Sequence, residues 1–175
     1  DVAIIQIGGE AEGVLALQNK AVDAATISEP FTTIAQRDGF SVVADLSRLN
    51  VPYTLHGIGT RKNIIRDRRD IVIRFMRAYL EAIYLFKTKK ELALSTLKKY
   101  ARMNDISLMN STYDDYSQRL VPAVPYPTPA GIQTIIDHLA KTRPEAKGLK
   151  PNDFIDSSIL KEIEESGFVK RLYAN

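Results

Sequence analysis

The chain has 175 residues, 45% of them hydrophobic and 26% charged, with a net charge of +3 and no cysteine. That length and apolar content supply one ordinary core. The lack of cysteine excludes disulfide staples, thiolate metal sites and cysteine nucleophiles, and no apolar run approaches the roughly 20 residues of a membrane span.

Charge is unevenly spread, −4 over residues 1–60 and +7 over residues 61–175. A basic second half can mean nucleic acid or an acidic partner. The plainer reading is positive charge on solvated helix faces mixed with acids. Asp1 leads straight into an apolar run with no start methionine or signal peptide, so the chain reads as a piece of a longer protein.

Val2–Ile7 is a nearly continuous β-branched run ending at Gly8-Gly9, the pattern of a strand covered on both faces. Glu10–Asn19 reads as a helix with Ala11, Val14, Leu15 and Leu17 as its apolar positions. Asn19-Lys20 is its stop, Asn19 being able to take a left-handed conformation. Val22–Ile27 is the next buried strand, Glu29–Arg37 a second helix ending at Asp38-Gly39, and Ser41–Leu46 a third strand. Strand–helix–strand–helix–strand in so short a span predicts parallel pairing with right-handed crossovers. In such a layer the loop leaving the carboxyl end of a strand holds ligands, which selects Ser28, Glu29 and Pro30. Asp23, inside an apolar strand, either binds backbone amides at the neighbouring turn or faces the ligand.

Tyr53–Thr60 breaks the rhythm as an extended segment with Gly57 and Gly59. It is either a hinge or an edge strand tightly packed at the two glycines. The remainder reads as helical. Asp67 and Asp70 offer a cap, and Val72, Phe75, Met76, Tyr79, Ile83 and Phe86 recur at helical spacing. A second helix over Lys90–Tyr100 would bury Leu92, Leu94, Leu97 and Tyr100. A third, capped by Asn104-Asp105, would bury Leu108, Met109, Tyr113, Tyr116 and Leu120, leaving Asp114 and Asp115 outside. Val121–Pro127, with three prolines, is an extended linker. Thr128 as N-cap and Pro129 in the first turn open a fourth helix facing inward with Ile132, Ile135, Ile136 and Leu139. A last helix of about ten residues is stopped by Gly167.

Catalytic patterns are missing. There is no nucleophile elbow and no phosphate loop, and Gly8-Gly9 is too little for a dinucleotide fingerprint. His56 and His138 lack metal-ligand spacing, and Ser28 and Glu29 have no histidine nearby in sequence. The reading is therefore no catalytic residue, no metal and no cofactor.

The run A-L-Q-N-K-A-V-D-A-A-T-I-S-E-P-F-T-T-I-A is similar to the strand and following loop of type II periplasmic solute-binding proteins of ABC importers, in the branch serving sulfonate, taurine, nitrate and thiamine precursors. Tyr53–Lys62 looks like that family's second interlobe crossover, and the stretches P-Y-P-T-P-A-G-I-Q and G-L-K-P-N-D-F-I-D fit its helical tail. The family usually has Gly at the position of Lys20, so the turn must be accommodated by Asn19 or by strain.

The resemblance implies an α/β chain with an incomplete type II binding-protein fold and no N-terminal lobe. Residues 1–52 would be a partial, parallel-type α/β ligand-binding lobe, residues 53–63 the crossover or hinge, and residues 64–175 a mainly helical part belonging to the other lobe. It further implies non-catalytic capture of a small polar solute and delivery to an ABC permease, outside the cytoplasm in the periplasm or on a membrane anchor. Gly8, Gly9, Ser28, Glu29, Pro30, Tyr53, His56 and Gly57 are the expected ligand contacts, with no nucleic acid involved. Two alternatives stand beside this: a pyrimidine-precursor synthesis enzyme on the same scaffold, and a basic helical interaction module. Apolar surface meant for an absent lobe would also favour a homodimer.

Overall fold

Local chemistry sets several helix ends in the computed structural model, which describes residues 2–49, 51–54 and 56–174. Helix α1 spans Glu10–Gln18, α2 Phe31–Arg37, α3 Lys62–Asp67, α4 Arg69–Thr88, α5 Lys90–Tyr100, α6 Ile106–Asp115, α7 Pro129–Leu139, α8 Ser158–Glu165 and α9 Phe168–Tyr173. Asp105 caps α6, its carboxylate accepting from the Leu108 amide at 2.9 Å. Thr128 caps α7 by accepting from the Gly131 amide at 3.2 Å. Gly39 after α2 and Gly167 between α8 and α9 take positive φ, 91° and 73°.

The expected α/β lobe is not there. Among the described residues none lies in a strand, and the fold is helical. The runs 2–7, 22–27 and 41–46 have the composition of buried strands, but composition supplies no partner for their N–H and C=O groups. Val2, Ile4 and Val43 are 91%, 97% and 92% exposed, so no layer covers them. Only one side is supported: Ile27 Cγ2, Ala25 Cβ and Ile7 Cδ1 lie 3.5, 3.6 and 3.8 Å from where a Gly13 Cβ would stand on α1. Asp23 is exposed, so the burial that framed both of its readings does not occur.

The described chain divides into two units, residues 1–45 with 86–121, and residues 46–85 with 122–175. In the first unit α1 packs on α2, α2 on α6 and α5 on α6. Its core holds Val14, Leu17, Ala35, Ala93, Leu108, Met109 and Tyr113. Tyr113 and Phe86 meet at 5.4 Å between ring centroids. Asp114 and Asp115 turn outward to Lys90 and Arg119, as the aromatic-in, acid-out pattern predicts. After α6 the chain tightens into one π-helical turn, Tyr116–Leu120. Lys87 donates to the carbonyls of Ser117 and Val121 there, so a cation satisfies the orphan acceptors of the helix end.

In the second unit α7 packs on the short 3-10 turns Pro144–Ala146 and Pro151–Asp153, and α8 on α9. Leu80, Ile83, Ile136, Ala146, Ile159, Leu160 and Ile163 form its core. Arg69 donates to Glu162 at 2.6 Å, and the Arg77 guanidinium sits 5.5 Å from the Phe168 ring centroid. Tyr84 and Tyr173 meet edge to face at 5.1 Å.

Several burial expectations shift. Phe75, Tyr79, Leu92, Tyr100 and Leu120 are exposed, whereas Leu80 and Ala93 are buried. A helical stripe predicts that a face is buried but not how wide its covering neighbour is. The left-handed residue after α1 is Lys20 with φ 56°, not Asn19, which caps the helix with φ −84°. The predicted last helix is two helices, α8 and α9, meeting at Gly167.

Candidate functional site

Two short sequence features converge at one corner of the first unit. Gly8 takes φ +96°, a left-handed backbone that glycine adopts without a steric cost, and Gly9 becomes the N-cap of α1. The Gly9 amide donates to Glu12 Oε2 at 3.0 Å, so an acidic side chain satisfies one of the orphan donors of the helix start. Glu10, the first residue of α1, turns its carboxylate to the loop before α2. There it accepts from the Ser28 amide at 3.2 Å and from the Ser28 hydroxyl at 2.9 and 2.8 Å to its two oxygens.

Glu29 and Pro30 follow, joined by a cis peptide bond, with Pro30 at the N-cap of α2. Glu29 Oε2 accepts from the Thr33 hydroxyl at 2.8 Å, and the Ser28 carbonyl accepts from the Thr32 amide at 3.0 Å. The tip of α2 is thus tied to its own loop by Thr33 and to α1 by Glu10.

The structure brings Gly8, Gly9, Ser28, Glu29 and Pro30 of the expected contacts into this corner's two loops. Tyr53, His56 and Gly57 are exposed residues of the second unit. A Cβ at Gly57 or Gly59 would meet nothing within 4 Å, so tight packing is not the reason for either glycine. Thr54, by contrast, is seated on α7, its Oγ1 2.5 Å and its amide nitrogen 3.0 Å from where a Gly131 Cβ would stand.

Glu10, Glu12 and Thr33 are participants that the sequence reading missed. A signal was present: an acid opening a helix after Gly-Gly, and a hydroxyl four residues beyond Glu29, at helical spacing. The Glu10–Ser28 pairing has no such local signature.

The corner's chemistry is that of a holder. Three carboxylates each satisfy a protein donor and keep further lone pairs for a ligand donor or cation. Ser28 is hydrogen-bonded to a carboxylate rather than an imidazole, and both histidines belong to the second unit. Among the described residues no group of three His, Asp or Glu side chains is placed to hold a metal, and no helix is long and apolar enough to cross a membrane. The second unit has an open cavity of about 440 Å³ lined by Thr60, Lys62 and residues 153–156. Hydrogen bonds from Ser158 hold the Asp156 carboxyl below its ordinary range.

Comparison with known proteins adds an independent finding. A family model described as the NMT1-like family matches residues 1–98, more than half of the chain and the whole of this corner. A protein of Brachyspira hyodysenteriae that carries the name of an ABC transporter periplasmic binding protein is 27% identical over 89 residues, 51% of this chain and 25% of its own length. The chain therefore spans about a quarter of that relative in the matched region. No solved structure matches.

Proposed function

The chain belongs to the NMT1-like family, and from that premise we propose that it serves as part of an extracytoplasmic solute-binding protein that captures a small polar molecule for an ABC-type importer. The role is binding without catalysis. The observation that carries it is the Glu10–Ser28 clasp, which lies inside the family-matched stretch and holds an open set of acceptors at a helix start. The name of the Brachyspira hyodysenteriae relative, an ABC transporter periplasmic binding protein, supports the same class and its periplasmic setting.

In this reading Gly8, Gly9, Ser28, Glu29 and Pro30 contact the solute. Residues 1–52 supply the ligand-binding loops, and the segment 53–63 is the crossover about which the whole protein closes. Solute would favour the closed state through contacts made only there, and a permease would read that state. Free glycines at Gly57 and Gly59 leave the crossover room to bend. The acceptor-rich corner favours a solute carrying a donor or a cation over a bare anion.

Calorimetry tests this with a panel of small amines, aminopyrimidines and sulfonates, against the protein and its Glu29→Ala variant. The expected result is a cationic or donor-bearing solute that binds the parent and loses about tenfold or more in the variant, as removal of a charge-assisted hydrogen bond does. Equal affinities for every member of the panel would remove Glu29 from the site.

A further inference from the structure

The carboxyl end of α5 gathers cations that no described acid answers. Residues 89–102 hold five Lys and Arg against one acid, Glu91. Lys90 pairs with Asp114. Among the described residues the side chains of Lys98, Lys99 and Arg102 make no ion pair and no hydrogen bond. The Lys99 ammonium lies 4.9 Å from the ring centroid of Tyr100.

Two large apolar side chains stand beside these cations. Tyr100 is 73% exposed, and Ile106, the first residue of α6, is 71% exposed. Ala93 is the buried residue of α5, which packs on α6. Leu92, Ser95, Thr96 and Lys99 are spaced along the other face of the helix and are exposed. The hydroxyls of Ser95 and Thr96 both turn back to the Leu92 carbonyl.

Lysines in a last turn complement the helix dipole, which by itself accounts for Lys98 and Lys99. Arg102 needs another reason. It follows the cap residue Ala101 with φ 55°, a left-handed position that glycine fills without steric cost. An exposed arginine is kept there despite the strain.

We infer that Lys98, Lys99, Tyr100 and Arg102, with Ile106, form a surface that docks on an anionic lipid bilayer. Charge is complementary: each Lys or Arg near such a surface adds attraction, and the three lie within five residues of one another. The phenol and the isoleucine are the kinds of side chain that a bilayer interface takes up. One small anion would also meet the partial negative charge of the helix end. A carboxylate-rich protein would answer the cations alone, whereas the bilayer answers cations and apolar tips together.

The test is co-sedimentation of the whole chain with vesicles of phosphatidylglycerol and phosphatidylcholine in equal parts, and with vesicles of phosphatidylcholine alone. Retention is expected on the anionic vesicles, falling as salt rises from about 0.01 to 0.15 M, and not on the neutral ones. Lys98→Gln and Lys99→Gln together should weaken it about tenfold or more, near fivefold for each cation. Tyr100→Ser should weaken it with an unchanged salt dependence. Arg102→Gly should weaken it about fivefold and raise the thermal midpoint, an opposite pair of effects that a merely structural role does not give. Lys147→Gln with Lys150→Gln, exposed cations of the second unit, should leave retention unchanged, which separates a local patch from net charge. The inference is overturned if the anionic vesicles do not retain the chain, if the second-unit pair weakens retention as much as the α5 pair, or if Arg102→Gly is retained undiminished. Retention by immobilised polyglutamate without retention by vesicles would also overturn it, in favour of an acidic protein partner.

Discussion

Glu10 and Ser28, 18 residues apart in sequence, are joined by a single carboxylate that accepts from both the amide and the hydroxyl of the serine. This one junction ties the start of α1 to the loop that opens α2, and it gives the proposed solute corner its shape. Two loops that would otherwise move separately are held at hydrogen-bond distance.

Thermodynamic coupling across that junction is the first expectation. Glu10→Ala and Ser28→Ala should each destabilise by about 1 kcal/mol, less than a buried charged hydrogen bond because the site is open to water. The double variant should cost clearly less than the sum of the singles. A double-mutant cycle by chemical denaturation measures the difference, expected at about 0.5–1 kcal/mol; strict additivity would show that the contact carries no energy.

Relief of backbone strain is the second. Lys20 holds φ 56° in the turn after α1, a conformation that costs a non-glycine residue about 1–2 kcal/mol. Glycine removes that cost and adds back some unfolded-state entropy. Lys20→Gly should therefore stabilise by about 0.5–1 kcal/mol, read as a rise in denaturation midpoint at unchanged m-value.

Gly131→Ala should act in the opposite sense, although alanine is the better helix former by about 1 kcal/mol. The added methyl would stand 2.5 Å from Thr54 Oγ1 and 3.0 Å from the Thr54 backbone nitrogen. Backbone cannot swing aside as a long side chain can, so a net loss of about 1–2 kcal/mol is expected. A Tm at or above the parent's would mean that the segment at Thr54 does not rest on α7.

Tyrosine titration supplies a pH test. Tyr126 donates its hydroxyl to Glu164. Removal from water, and then the Glu164 carboxylate, push its pKa up to about 12 from 10. The unfolded chain releases this proton first as pH rises. Tyr126 therefore contributes its full stability below pH 10 and loses it progressively between pH 10 and about 12. Ultraviolet titration should show one of the eight tyrosines ionising near pH 12. In Glu164→Gln that step should move down but stay above 10, because burial is the larger cause.

Acid acts on the first unit through Asp105. Its bond from Arg37 on α2, then its cap on the Leu108 amide, hold its carboxyl below the ordinary range. A depressed folded pKa stabilises above the unfolded value, near 4, and is lost as pH falls through the lowered one. Asp105→Ala should lower Tm by a few degrees at neutral pH and shrink that acid dependence. An unchanged acid limb would assign it to other carboxylates.

Much of this protein was determined by sequence over spans of four residues or fewer. Asp105, Thr128-Pro129, Gly39 and Gly167 mark helix ends where they were expected, because a cap is satisfied by its own neighbours. The Gly8-Gly9 and Ser28–Pro30 loops were legible for the same reason, as punctuation between periodic runs. What only tertiary structure decided are the features that need a distant partner. Val2–Ile7 and Ser41–Leu46 have strand composition and make no ladder, since pairing is a property of two segments and not of one. Leu80 and Ala93 are buried while Leu92 and Tyr100 are not, because burial depends on what lies opposite. Glu10 reached Ser28 for the same reason: a carboxylate's partner is set by the path of the chain in space, and nothing in the eight residues around either one records it.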